Sequence, residues 1–214
     1  MTPIADAVVF DMDGVLIDSG VHHREAWVAM CRDCGVTPPA DFWRLTIGRP
    51  AEEAVALLVD GIGAVEARRL ADVKRSHYER LARRGLMAVA GAGEFVKMLA
   101  RAGVPRAVAT SASRRDLERA LDALGLREHI DVAVTADDVR HGKPHPEVYL
   151  KAARGLGVVA AACVVFVDAV VGVHAARAAG MRVIGVTTAH TADELVAAGA
   201  ERAVPHFEAV RWPV

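Results

Sequence analysis

Five short runs of this 214-residue chain are apolar at most positions: AVVF (7–10), VPRAVAT (104–110), DVAVT (131–135), CVVFV (163–167) and MRVIGV (181–186). A strand with one face in water alternates apolar and polar residues, so runs lacking that alternation belong to strands covered on both faces. Between the later runs stand RRDLERALDALGL, PEVYLKAARGL, VHAARAAG and TADELVAAG, whose apolar residues recur three and four positions apart, the spacing of one helix face. Gly125, Gly157, Gly180 and Gly199 fall where such helices end. Strand and helix in alternation predict an α/β fold: a Rossmann-like, three-layer core on a parallel sheet with helices on both sides.

Residues 19–84 break that rhythm. HHREAWVAMCRDCG, PAEEAVALLVDG and AVEARRLADVKRSHYERLARRG carry helical patterns, and no stretch among them reads as a strand. A mostly helical segment inserted after the first strand predicts a small cap domain against the open end of the sheet. The expected division is therefore a core of 1–18 and 85–214 with a helical cap of 19–84.

Composition narrows the partners. A formal net charge of −1 gives no electrostatic basis for binding nucleic acid or an anionic membrane. No apolar run reaches the length of a membrane span, and MTPIADAVVFDMDG meets an acid at Asp6, unlike a secretory leader, so a cytoplasmic location is expected. Cys31 and Cys34 stand three apart within a helical pattern, with no second Cys or His pair at metal spacing, and Cys163 opens an apolar run. None of the three is assigned a function.

The first strand ends in VVFDMDGVLID. Asp11 and Asp13 are two residues apart, so along an extended chain they point the same way. Asp-Gly is also a hairpin signal, but nothing after Gly14 alternates as a returning strand would. Acids at the C-terminal end of a parallel strand stand where ligands bind in open α/β sheets. Two of them can divide nucleophilic and acid–base work, or share a divalent cation. Three further features suit an anion or its counterion. ATSAS (109–113) brings hydroxyls to the end of the second strand, ahead of a helix; HGKPHP (141–146) presents Lys143 on a loop stiffened by two prolines; and Asp168 ends the fourth strand. Singly, each reads as a cap, a solvated charge or a strand-end acid. In this order, each beside a strand terminus, they point to one site.

DMDGVLID, the pair Thr110–Ser111, GKPHPEVY and VFVDAVVGVHAARAAGM together resemble the four motifs of the haloacid dehalogenase superfamily, over essentially the whole chain. Within it the sequence is similar to the sugar and polyol phosphatases related to beta-phosphoglucomutase. The resemblance implies a phosphomonoester phosphatase acting on a small phosphorylated sugar or polyol. It implies that Asp11 attacks phosphorus and becomes an aspartyl phosphate. Asp13 would protonate the leaving alcohol and then activate water. Mg²⁺ would bind the Asp11 carboxylate, the Asp13 carbonyl and Asp168, while Lys143 and Thr110 or Ser111, with Ser111 favoured, hold phosphate oxygens. His23 aligns with a substrate-contacting histidine, and Arg49 and His77 are further candidates for specificity.

The pattern is not complete. The position before Asp168 is usually acidic in this branch and here is Val167, so weakened Mg²⁺ binding is expected. Dehalogenases lack the second acid, present here as Asp13. Phosphonate hydrolases use a cap lysine, and the only lysine in 19–84 is Lys74. A mutase needs a cap arginine for the second phosphate, at a position aligned with Ala51, which favours simple hydrolysis. The alternatives are a phosphosugar mutase of the beta-phosphoglucomutase type, or a catalytically weakened phosphate-ligand binding protein.

Overall fold

The computed structural model describes residues 5–40 and 42–214; the expected ranges 1–18 and 19–84 thus include residues 1–4 and Asp41, which lie outside the described residues. Strands β1 (Ala7–Phe10), β2 (Arg106–Ala109), β3 (Val132–Val134), β4 (Cys163–Val167), β5 (Arg182–Val186) and β6 (Arg202–Val204) form one sheet in the order β3-β2-β1-β4-β5-β6. Every neighbouring pair is parallel. All five expected strands are present, three of them trimmed at their ends. β6 goes beyond the expectation, because three partly exposed residues at a sheet edge leave no apolar run.

Alternation of side chains along β1 builds two cores. Val8 and Phe10 face one layer with Phe95, Phe166 and Phe207, while Ala7 and Val9 face the other with Val165, Tyr149 and Val173. Phe10 lies directly opposite Phe166 in the register and stacks on it with ring centroids 5.7 Å apart. Helices α5 (Ala92–Arg101) and α6 (Arg114–Leu124) cover the first layer; α7 (Glu147–Leu156), α8 (Val170–Ala178) and α9 (Ala192–Ala197) cover the second. This is the three-layer α/β architecture. Gly125 and Gly157 close α6 and α7 in the left-handed conformation, as expected of C-terminal glycines. Ser113 caps α6 by accepting from the Asp116 N–H.

Between β1 and α5 the chain is helical among the described residues: α1 (Gly20–Cys34), α2 (Phe42–Thr46), α3 (Ala51–Leu58) and α4 (Ala64–Ala82). These helices bury a third cluster of their own, including Trp27, Met30, Phe42, Val55 and Leu70. They also touch the loops at the C-terminal end of the sheet: Ser111 Oγ donates to the Gly48 carbonyl at 3.0 Å, and Arg44 pairs with Glu194. The chain enters and leaves the helical segment side by side, because Ile17 bridges Ala88. Strand order reverses between β1 and β4. Connections leave there toward opposite sides and open a crevice at the strand ends.

Candidate active site

β1 delivers Asp11 straight from a fully buried run, so the carboxylate starts life surrounded by protein and is itself buried. Its Oδ1 accepts the Met12 N–H at 2.8 Å and its Oδ2 accepts from Lys143 Nζ at 2.6 Å. Lys143 is not a solvated loop charge: its side chain is 1% exposed, with the ammonium also donating to the Ala109 carbonyl and lying 4.9 Å from the Tyr149 ring centroid. Burial opposes the Lys143 charge, but Asp11 outweighs it and holds the lysine protonated above its usual range. Burial raises the Asp11 carboxyl above its usual range, offset only partly by Lys143 and the Met12 N–H.

Asp13 is held differently. Oδ1 accepts from Ser19 Oγ at 2.5 Å and faces His23 Nε2 at 3.0 Å. His23 Nδ1 in turn lies 2.7 Å from Lys74 Nζ, and the imidazole stacks on Tyr78 with centroids 4.3 Å apart. An ammonium only donates, so Nδ1 is the acceptor and the ring proton sits on Nε2, aimed at Asp13. Burial pushes the Asp13 carboxyl up, but His23, Ser19 and Lys74 outweigh it and keep the group below the usual carboxylate range. Burial lowers the His23 imidazole, and the nearby Lys74 charge lowers it further. Lys74 itself is brought down to about 8 by burial, against the pull of Asp13 and Asp116. Both hydrogen bonds to Asp13 fall on Oδ1, which leaves Oδ2 free of protein partners among the described residues.

Asp168 closes the third side, buried at the end of β4. Thr188 Oγ1 donates to the Gly14 carbonyl at 2.6 Å and lies 3.4 Å from Asp168 Oδ2, while His190 Nδ1 is 3.0 Å from the Asp168 carbonyl. Gly14 has φ of +69°, and a Cβ built there would lie 1.8 Å from Asp168 Oδ2. The turn that follows Asp13 thus leaves the space that this third carboxylate occupies. Burial, with repulsion from Asp11 and Asp13, drives the Asp168 carboxyl well above its usual range, and Lys143 offsets only part of this. Asp11, Asp13 and Asp168 bring carboxylate oxygens to one cavity, and the negative charge that Lys143 offsets only in part fits a hard divalent cation.

Asp11, Asp13, Thr110, Ser111, Lys143, Asp168, His23 and Arg49 all line one cavity of about 770 Å³ between the sheet's C-terminal end and the helical segment. Thr110 Oγ1 accepts the Ala112 N–H at 3.0 Å and is buried, whereas Ser111 reaches Gly48. His77 does not join them. It pairs with Asp33 at 2.9 Å and lines a separate shallow notch with Arg80, because its side of α4 faces away from the sheet. Of the adjacent pair, His23 is the histidine that reaches Asp13, as two neighbours on a helix point to different faces. Val167 is fully buried, and a Cβ on Gly172 would lie 2.3 Å from its Cγ2, so it packs into the second core layer instead of facing the cavity.

Ser19, Lys74 and Thr188 were not singled out as site residues from sequence. One signal existed: Lys74 is the only lysine in a segment otherwise rich in arginine. Ser19 and Thr188 carry no local mark at all.

Known proteins resemble this chain over most of its length. A family model described as haloacid dehalogenase-like hydrolase matches residues 8–186. Validoxylamine A 7'-phosphate phosphatase of Streptomyces hygroscopicus subsp. limoneus is 38% identical over 205 residues, covering 96% of this chain and 95% of that protein. The phosphorylated carbohydrates phosphatase of Thermotoga maritima is 34% identical over 187 residues, covering 85% of each chain. Among solved structures, a hydrolase from Pseudomonas syringae superposes with a TM-score of 0.85 at 30% identity, covering 92% of each chain.

Proposed function

The chain belongs to the haloacid dehalogenase-like hydrolase family and is a phosphomonoester phosphatase, and on that premise we propose that it hydrolyses sugar or polyol phosphates through an aspartyl phosphate on Asp11. The observation that carries this reading is the convergence of Asp11, paired to Lys143 at 2.6 Å, with Asp13 and Asp168 around one cavity. Relatives that act on phosphorylated carbohydrates support the substrate class. A cavity of about 770 Å³, with Trp27, Trp43 and Tyr78 among its walls, has room for a ring-bearing alcohol beside the phosphate.

In this mechanism an Asp11 carboxylate oxygen attacks phosphorus as the P–O bond to the alcohol breaks. Asp13 hands its proton to the departing alkoxide, so it must enter the step protonated although its resting environment favours the anion. The incoming dianion supplies the shift, since a phosphate beside Asp13 opposes its ionisation. Asp13 then takes a proton from water, whose oxygen attacks the same phosphorus and frees Asp11 and inorganic phosphate. Lys143 and the Thr110 and Ser111 hydroxyls hold the non-bridging oxygens, a task of positioning and charge stabilisation. Ser111 would exchange its Gly48 partner for the phosphate, linking substrate arrival to the helical segment. We assign residues 19–84 the role of a cap that excludes bulk water.

Asp11, Asp168 and the Asp13 carbonyl would hold Mg²⁺, which when bound offsets the repulsion between the aspartates and the phosphate. Val167 stands where an acid is expected beside Asp168, but its side chain packs into the second core layer, away from the cavity. Val167→Glu is therefore expected to lower stability by burying a charge and to leave the Mg²⁺ dependence of activity unchanged; a variant that saturates at lower Mg²⁺ than wild type would show that a side chain at this position reaches the metal.

Lys74 gives the reaction a pH signature. Its ammonium orients His23, and through it Asp13, only while charged, so kcat is expected to decline as pH rises through about 8. Lys74→Met should lower kcat and erase that alkaline limb in a pH–rate profile. The stability effect has the opposite sign. The folded chain binds this proton less tightly than the unfolded chain, with its ordinary value of 10.5. The destabilisation from burying the charge is complete below pH 8 and fades as pH approaches 10.5.

The direct test is a panel of sugar, cyclitol and polyol phosphates, with free phosphate and isomerised ester measured in the same reaction. Release of phosphate from carbohydrate esters is expected. An isomer without free phosphate would instead support the mutase, and an inert protein in excess Mg²⁺ would support a binding role. Ala51 lines the cavity without a charge, but Arg49 lines it too, so the assay for the isomer and not the cavity lining decides between the two reactions.

A further inference from the structure

The loop that carries Lys143 into the cavity has an outer side. There His141 and His145, both exposed, and the half-buried Glu147 each bring one ligand atom, all within 4.8 Å of one another. We propose that this His–His–Glu group is a second metal site, selective for a borderline ion of the Zn²⁺ class and separate from the aspartate site in the cavity.

The donor chemistry distinguishes the two sites. Asp11, Asp13 and Asp168 offer only hard oxygens, whereas two imidazoles and one carboxylate form a set suited to Zn²⁺ and its transition-metal neighbours. The geometry needs little change. His141 Nδ1 is 3.4 Å from Glu147 Oε2, and a tetrahedral ion with bonds of about 2.0–2.1 Å separates its ligands by about 3.3 Å. The His145 ring centroid lies 4.7 Å from that of His141, and both rings are exposed, with His145 Nδ1 accepting the Glu147 N–H at 3.3 Å. Three protein ligands leave the fourth position to water.

Glu147 is already prepared as a ligand. Its Oε2 accepts the Arg140 and His141 N–H groups at 3.1 Å each, and Oε1 lies 3.0 Å from Lys151 Nζ. These hydrogen bonds fix the carboxylate as an outer shell does in built metal centres. Its carboxyl is held down to about 2, with the Lys151 bond the largest cause, so it is anionic at any working pH. An ion bound here would tie together both ends of the short loop whose middle residue, Lys143, holds Asp11.

The test is calorimetric titration of Zn²⁺ into the untagged 214-residue chain in excess Mg²⁺, which keeps the cavity's oxygen site occupied. Wild type is compared with H141A/H145A, and with D11N as a control for zinc entering the cavity. Wild type and D11N should each bind one more Zn²⁺ than H141A/H145A. With Co²⁺ as the probe, wild type should gain the visible absorption of a nitrogen-ligated tetrahedral ion, and the double variant should not. Equal zinc stoichiometry and affinity in wild type and H141A/H145A would overturn the proposal, as would loss of the extra ion only in D11N. The exposed histidines lie outside the catalytic groups, so the double variant should retain phosphatase activity in Mg²⁺, which reports that it is folded.

Discussion

Asp11→Asn is expected to fold and to lose turnover of every phosphate ester by at least on the order of 10³-fold, the scale on which removing a covalent nucleophile acts. The amide matches the carboxylate in size and can still accept the Met12 N–H, so the geometry around β1 persists. What it cannot do is form the acyl phosphate bond. Removal of one negative charge also relieves its repulsion of Asp168, at the cost of leaving Lys143 without its anion. The measurement is steady-state release of phosphate, with acid-quenched wild-type enzyme examined for phosphate covalently bound at Asp11. Turnover in the variant within tenfold of wild type would rule out the covalent route.

Lys143→Met is expected to damage both stability and catalysis. Breaking a buried ion pair from one side typically costs about 3–5 kcal/mol, because the remaining charge loses its partner in a medium that solvates it poorly. Part of that loss is recovered as Asp11 takes up a proton, and a protonated Asp11 is no nucleophile. Denaturant unfolding should therefore report a variant that is less stable at neutral pH and loses less relative to wild type as pH falls. Protonation of Asp11 removes the orphaned charge in the variant, and the same protonation breaks the ion pair in wild type. Added Mg²⁺ should restore stability more than rate, since a cation offsets the Asp11 charge but does not grip the phosphate from the side of Lys143. A variant as stable and active as wild type would contradict the geometry of this pair.

The chemistry-bearing residues at strand ends were legible because each sits beside an apolar run or a rigid loop: Asp11 after AVVF, Asp168 after CVVFV, Lys143 just ahead of two prolines. Sheet composition followed from the same runs. Contacts between distant residues were not legible. Lys74 meets His23 across fifty-one positions and Ser111 meets Gly48 across sixty-three, and no local pattern encodes such pairs. His77 shows the converse. A histidine on the last cap helix looks available for substrate until the helix's rotation turns it toward Asp33. Val167 reads from sequence as a missing acid. The structure adds its physical role: it fills the space against Gly172 in the packed layer beneath the site.

The strand order has a consequence for how the protein is made. β1 is synthesised first but lies in the middle of the sheet, between β2 and β4. On the ribosome it must wait, with one apolar edge unpaired, until Cys163–Val167 has left the exit tunnel. Asp11 likewise exists long before Asp168 arrives to stand beside it. A nascent chain stalled before β4 would thus carry Asp11 without Asp168 and expose a sticky central strand, making such intermediates natural clients for chaperones.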